Sequence, residues 1–170
     1  SVAVTGIAGI AGFAWLLIAA AVTGSLTAYT DTELAWRSAY IGYGPLVPFA
    51  GSFQGAVWWA ERAGAPAGVG IVLLAVLIVA MGAALFSPWM RRLGVDIRFW
   101  VASWLLYLLA VFFPQSSTWR LLLPAFPALG ALAVPKSPVF RVVLIAVFLV
   151  GQWWWIDGMW AVSETEWTPP

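Results

Sequence analysis

Val2–Val22 and Ala67–Phe86 each run for about 20 residues without a charge, the length an α-helix needs to cross a ~30 Å hydrocarbon layer. A chain with two such runs has few choices of environment. It is 63% hydrophobic and 9% charged, against about 25% charged in an ordinary soluble domain. The expectation is an all-α, polytopic transmembrane helix bundle. A third run, Val142–Ile156, is expected to leave the membrane at a tryptophan girdle of Trp153, Trp154, Trp155 and Trp160.

Two further apolar runs are shorter. Phe99–Phe113 and Leu121–Val134 hold 15 and 14 residues, too few to cross upright as α-helices. They flank a polar turn, Pro114-Gln115-Ser116-Ser117-Thr118-Trp119-Arg120. The pair reads either as two short spans or as a re-entrant hairpin. In all, about five apolar segments (2–22, 67–86, 99–113, 121–134, 142–156) make one transmembrane domain over 1–162. An acidic, proline-ended tail over 163–170 is expected to be flexible.

The longest polar segment is Thr23–Gly64. Thr30 and Glu33 fit a capping box, placing a helix from about Asp31 to the stop at Gly42, Gly44 and Pro45. On it Glu33 and Arg37 are spaced for an i,i+4 pair, and Trp36 and Tyr40 form an aromatic stripe suited to a headgroup boundary. Gly51–Trp59 continues with Phe53, Trp58 and Trp59, so the loop is expected to lie on the membrane surface.

Basic residues orient the chain. Arg91, Arg92, Arg98, Lys136 and Arg141 fall in the segments 87–98 and 135–141. Arg37, Arg62 and Arg120 fall on the other side, with every acidic residue except Asp96. This places Ser1 in the cytoplasm and the 23–66 loop, the 114–120 turn and the C-terminus outside. The opening residue, which is not Met, and the abrupt apolar start suggest the C-terminal piece of a longer protein.

Neither Cys nor His occurs in the chain, which removes thiol nucleophiles, disulfides, Cys/His zinc sites and imidazole bases. No P-loop, dinucleotide fingerprint, metalloprotease helix or nucleophile elbow is present in a suitable context. No cofactor and no metal site is identified. No run of Lys or Arg suggests nucleic acid. The chemistry that remains is anion binding. Ser116, Ser117 or Thr118 can cap a helix starting near Trp119, and Arg120 adds a permanent charge able to grip phosphate; the bland alternative is a snorkelling arginine beside ordinary capping residues. Arg37 is a candidate second cation. Asp31 and Glu33 are the candidate carboxylates, although Glu33 already has capping and pairing roles.

Tyr29-x-x-Thr32-Glu33-x-Ala35-Trp36-Arg37, Leu46-Val47-Pro48-Phe49, Gln54-Gly55-Ala56-x-Trp58-Trp59 and above all Gln115-Ser116-Ser117-Thr118-Trp119-Arg120 resemble a group of bacterial, especially actinobacterial, membrane proteins. These are similar to the GPI-anchor second-mannose transferases of the multispanning C-class glycosyltransferases. The resemblance covers about residues 24–134. It implies a bacterial plasma-membrane enzyme that transfers a sugar, mannose by family, from a polyprenyl-phosphate donor to an extracytoplasmic acceptor. It also implies a catalytic aspartate in an earlier loop, upstream of Ser1, so that none is identified here and the missing N-terminal half is the expected partner. By motif match, Tyr29, Glu33, Trp36 and Gln115 become substrate-site candidates beside the carboxylate Asp31, and Arg120 and Arg37 join Ser117 and Thr118 as candidates for the lipid phosphate. The alternative is a non-catalytic membrane subunit or transporter fragment packed on partner helices.

Overall fold

The computed structural model describes residues 2–44, 46–115 and 117–157; Ser116, Trp160 and the 163–170 tail, each named above, lie outside them. The described residues are helical, with no strand among them. The elements are α1 (Val2–Thr23), α2 (Ala28–Ile41), α3 (Ala50–Arg62), α4 (Ala67–Leu85), α5 (Pro88–Arg91), α6 (Val95–Val111), α7 (Thr118–Leu121), a 3-10 helix (Leu123–Ala133) and α8 (Pro138–Trp155). Three of these, α1, α4 and α8, are long and apolar enough to cross a membrane. The chain divides into two compact units, Ser1–Ala50 and Gly51–Pro170.

In the first unit α1 packs on α2. The start of α2 differs from the sequence expectation: Thr27, not Thr30, holds the N-cap position. The Thr27 hydroxyl donates to the Asp31 carboxylate at 2.8 Å, and the Thr30 hydroxyl donates back to Thr27 O at 2.8 Å. Beginning one turn earlier still keeps Asp31 in the first turn, where the helix dipole favours it. Gly42, at φ 71°, ends the helix where expected.

In the second unit α3 is a full helix where the sequence suggested a surface loop. It closes with a Schellman arrangement: Ala65 N–H reaches Ala60 O at 2.8 Å and Gly64 N–H reaches Glu61 O at 2.9 Å, with Gly64 at φ 76°. Its small residues Gly51, Ser52, Gly55 and Ala60 are buried. Gly70 lets α4 approach so closely that an added Cβ would run into the Ala56 carbonyl.

The 3-10 helix explains the short second run of the pair. Pro124 and Pro127 stand three apart and lack the N–H groups that would bond to Leu121 O and Pro124 O in a 3-10 ladder. Those two carbonyls are taken by α6. Trp104 Nε1–H donates to Leu121 O and Trp100 Nε1–H to Pro124 O, each at 2.8 Å. The registers agree, because three 3-10 residues and four α residues both rise ~6 Å. Ala125, Ala128 and Ala131, also spaced by three, pack toward a core of Met90, Val101, Ile97 and Leu105. Leu123, Phe126 and Leu129 form the outward row, all more than half exposed.

A 3-10 helix rises faster than an α-helix, so α7 and the 3-10 helix together extend roughly 28 Å, about the length of the 19-residue α4. Both ends of the hairpin are tied. At one end Arg98 Nε–H donates to Leu85 O at 2.8 Å, capping α4, Leu93 lies against Gly130, and Trp89 meets Phe140 at 6.1 Å between rings. At the other, α3 holds the end of α6, and Trp119 meets Trp155 edge-on at 6.1 Å. Ser87-Pro88 and Ser137-Pro138 open α5 and α8, each serine accepting an N–H three residues on.

Trp100→Phe leaves Pro124 O unpaired in apolar surroundings and should cost about 1–3 kcal/mol. Pro127→Ala restores an N–H opposite that carbonyl and should remove most of the cost. A double-mutant cycle from reversible unfolding in mixed micelles measures this, and equal costs in both backgrounds would sink the assignment. Gly70→Ala should destabilise by about 1–3 kcal/mol through overpacking. Gly68→Ala, with open space around it, should instead gain a few tenths to about 1 kcal/mol from helix propensity.

Candidate anion site at the 112–121 turn

The turn between α6 and α7 is built by α3. An α-helix leaves its last carbonyls without partners, and α6 obtains one from outside: Ser52 Oγ–H donates to Leu109 O at 2.9 Å, with Phe112 O 3.5 Å away. Phe112 N–H closes onto Leu108 O at 2.9 Å. Two turns along α3, Trp59 Nε1–H donates to Pro114 O at 2.8 Å. Gly55 lies between them, where a Cβ would stand 2.7 Å from Pro114 Cδ. A serine, a glycine and a tryptophan on one face of α3 thus receive the backbone of 109–114, and Phe113 is buried beside them.

The polar residues of the turn adopt a different arrangement from the sequence expectation. Ser117 is buried and occupies the N-cap position of α7 without a side-chain cap bond. The Thr118 hydroxyl donates to Gln115 O at 2.6 Å, and the Thr118 N–H to the same oxygen at 3.0 Å. Thr118 therefore braces the turn, and Ser117 is packed inside it. The helix that follows is a single turn, too short to carry the dipole that the sequence reading assigned to it. Arg120 is exposed, with no hydrogen-bond or ionic partner among the described residues. Trp119, beside it, is 62% exposed. Gln115 is half-buried.

The other candidates lie on α2, in the first unit. Tyr29 and Glu33 are half-buried, Asp31 is exposed and held by Thr27, and Trp36 is 71% exposed. Arg37 has only 9% of its surface exposed, which differs from the presented second cation that the sequence suggested. The structure gathers Gln115, Ser117, Thr118 and Arg120 into one turn of the second unit, and Tyr29 through Arg37 onto one helix of the first. Among the described residues no three of His, Cys, Asp and Glu come together.

Ser52, Gly55 and Trp59 went unread as positioning residues for this turn. Their signal is the small–small–aromatic spacing along one helical face. It is weak until the partner backbone is known. Comparison with protein-family models, with curated proteins and with solved structures finds no match.

Ser52→Ala should loosen the turn without unfolding the bundle. The expected result is about fivefold faster amide exchange at Phe112 and Thr118, corresponding to one lost hydrogen bond, with α4 amides unaffected. Unaltered exchange at Phe112 and Thr118 would show that the Ser52 bond does not support the turn.

Proposed function

We propose that this chain is part of an integral membrane glycosyltransferase, and that the 112–121 turn holds the phosphate of a polyprenyl-phosphate sugar donor. The observation that carries the reading is Arg120: an exposed guanidinium, unpartnered among the described residues, on a braced turn beside Trp119 and Trp155. A permanent cation next to interfacial tryptophans suits a lipid-borne phosphate, whose charge stays at the headgroup boundary while its chain remains in the hydrocarbon. Holding the departing phosphate stabilises the charge that develops on it during transfer. The sugar, proposed as mannose, and the extracytoplasmic acceptor rest on the resemblance of the 24–134 segment. So do the base on the acceptor hydroxyl and the catalytic aspartate, both proposed to lie upstream.

In this reading the hairpin of α6 and the 3-10 helix crosses the bilayer twice, supported by its length and by its ties at both ends. The end bearing Arg91, Arg92, Arg98, Lys136 and Arg141 faces the cytoplasm, and Arg120 faces outward, in a bacterial plasma membrane. Arg37 remains a proposal for the lipid phosphate, and Tyr29, Asp31, Glu33 and Trp36 of α2 remain proposals for the substrate site.

A second reading, a non-catalytic subunit packed on partner helices, is favoured by α1 and α8, which bury no residue. One experiment separates the two. In the full-length protein, Arg120→Ala should weaken polyprenyl-phosphate binding about tenfold or more, the value of a hydrogen bond to a charged group. Arg120→Lys should retain part of it, with helicity unchanged in both. Unweakened binding in Arg120→Ala removes the transferase site proposed here and leaves the subunit reading.

A further inference from the structure

The end of the second unit opposite Arg120 carries a feature that the transferase reading does not use. A groove of about 310 Å³ lies between the C-terminal half of the 3-10 helix and the first half of α8, lined by Leu129, Leu132, Leu144, Ile145 and Phe148, with Arg141 its one charged residue. From Arg141 to Phe148 it follows α8 for ~10 Å. The Arg141 Nε–H is held by Pro135 O at 3.4 Å, which anchors the guanidinium at the groove's end. Lys136, one residue beyond Pro135, is exposed.

Charge selects the occupant. Arg91, Arg92, Arg98, Lys136 and Arg141 belong to this end, and Asp96 is the one acidic residue in the segments that form it. Arg98 is already spent on Leu85 O and the Phe86 ring, 5.4 Å from its guanidinium carbon. Asp96 edges a separate groove, lined by Ile97, Trp100, Pro124, Phe126 and Pro127, where a carboxylate repels an anion. The Arg141 groove therefore combines an apolar trough on a lipid-facing surface with uncompensated positive charge at its mouth.

We infer that this groove is a binding site for an anionic phospholipid, with an acyl chain along Leu132, Ile145 and Phe148 and the headgroup phosphate on Arg141 and Lys136. The site is independent of the sugar-transfer reading, and Arg120→Ala leaves it unchanged.

The test titrates the purified full chain, in neutral detergent, with dioleoyl phosphatidylglycerol or dioleoyl phosphatidylcholine and counts retained lipid by native mass spectrometry. Phosphatidylglycerol should be retained preferentially. Arg141→Gln should lower that preference about fivefold, the effect of ~1 kcal/mol per basic residue near an anionic surface. Arg141→Lys should keep it. Ala133→Trp, which fills the groove and spares the charge, should abolish retention, whereas Arg91→Gln and Arg92→Gln should not. Equal retention of the two lipids overturns the site, as does an Arg91→Gln loss matching that of Arg141→Gln. If Arg141→Gln does not fold, Arg141→Lys and Ala133→Trp decide between them: retention by the first with loss in the second supports the site, and any other pairing overturns it.

Discussion

Two indole N–H groups replace two backbone N–H groups that proline removes, and the second unit is arranged around that exchange. In hydrocarbon a carbonyl without a donor costs several kcal/mol, so a segment with Pro124 and Pro127 in mid-run has to be supplied from a neighbour. Trp100 and Trp104 do this at the spacing a 3-10 helix requires. Their side chains also add large apolar surface. Runs of 3-10 helix beyond three or four residues are uncommon, and this one is held by α6 along its length.

The length of the hairpin follows. Extra rise per residue lets a short sequence extend about as far as α4, so its turn arrives at the end where α3 and the close of α8 lie, and its other end meets α5. Arg120 and the basic cluster are thereby separated by the length of the bundle. At one end an exposed guanidinium, Arg120, stands on a turn braced by Ser52 and Trp59. The other carries several cations, one of them, Arg141, at the end of an apolar groove. The two surfaces differ in character, and the lipid phosphates proposed for them differ accordingly: a donor headgroup at the turn, a structural phospholipid along α8.

Much of the helical content could be read from residues. The runs containing α1 and α4 are uninterrupted and long, and Gly42 marks the end of α2. What escaped was of two kinds. Thr30 and Glu33 matched a capping box, yet Thr27 and Asp31 had an equally good local solution one turn earlier, and pattern alone does not rank them. An α-helical rise understates the reach of the Leu121–Val134 run. Its period of three, in Pro124/Pro127, Ala125/Ala128/Ala131 and Leu123/Phe126/Leu129, is visible in the sequence once a 3-10 rise is considered.

The sequence by itself determined that the chain is a helical membrane protein without thiol or imidazole chemistry, with five of its eight basic residues in two of its connecting segments. Composition and run length are enough for that, since they set the transfer cost of each segment. Only the tertiary structure decided that Thr118 braces the turn, that Ser117 is buried in it, and that Arg120 is left as its exposed charge. It also decided that Arg37 is buried, and that Arg141 stands over a groove. Each outcome depends on which backbone meets which side chain across long stretches of chain: Ser52 and Leu109, Trp100 and Pro124, Gly70 and Ala56. Spacing along one helix carries no record of such a meeting until the other helix is beside it.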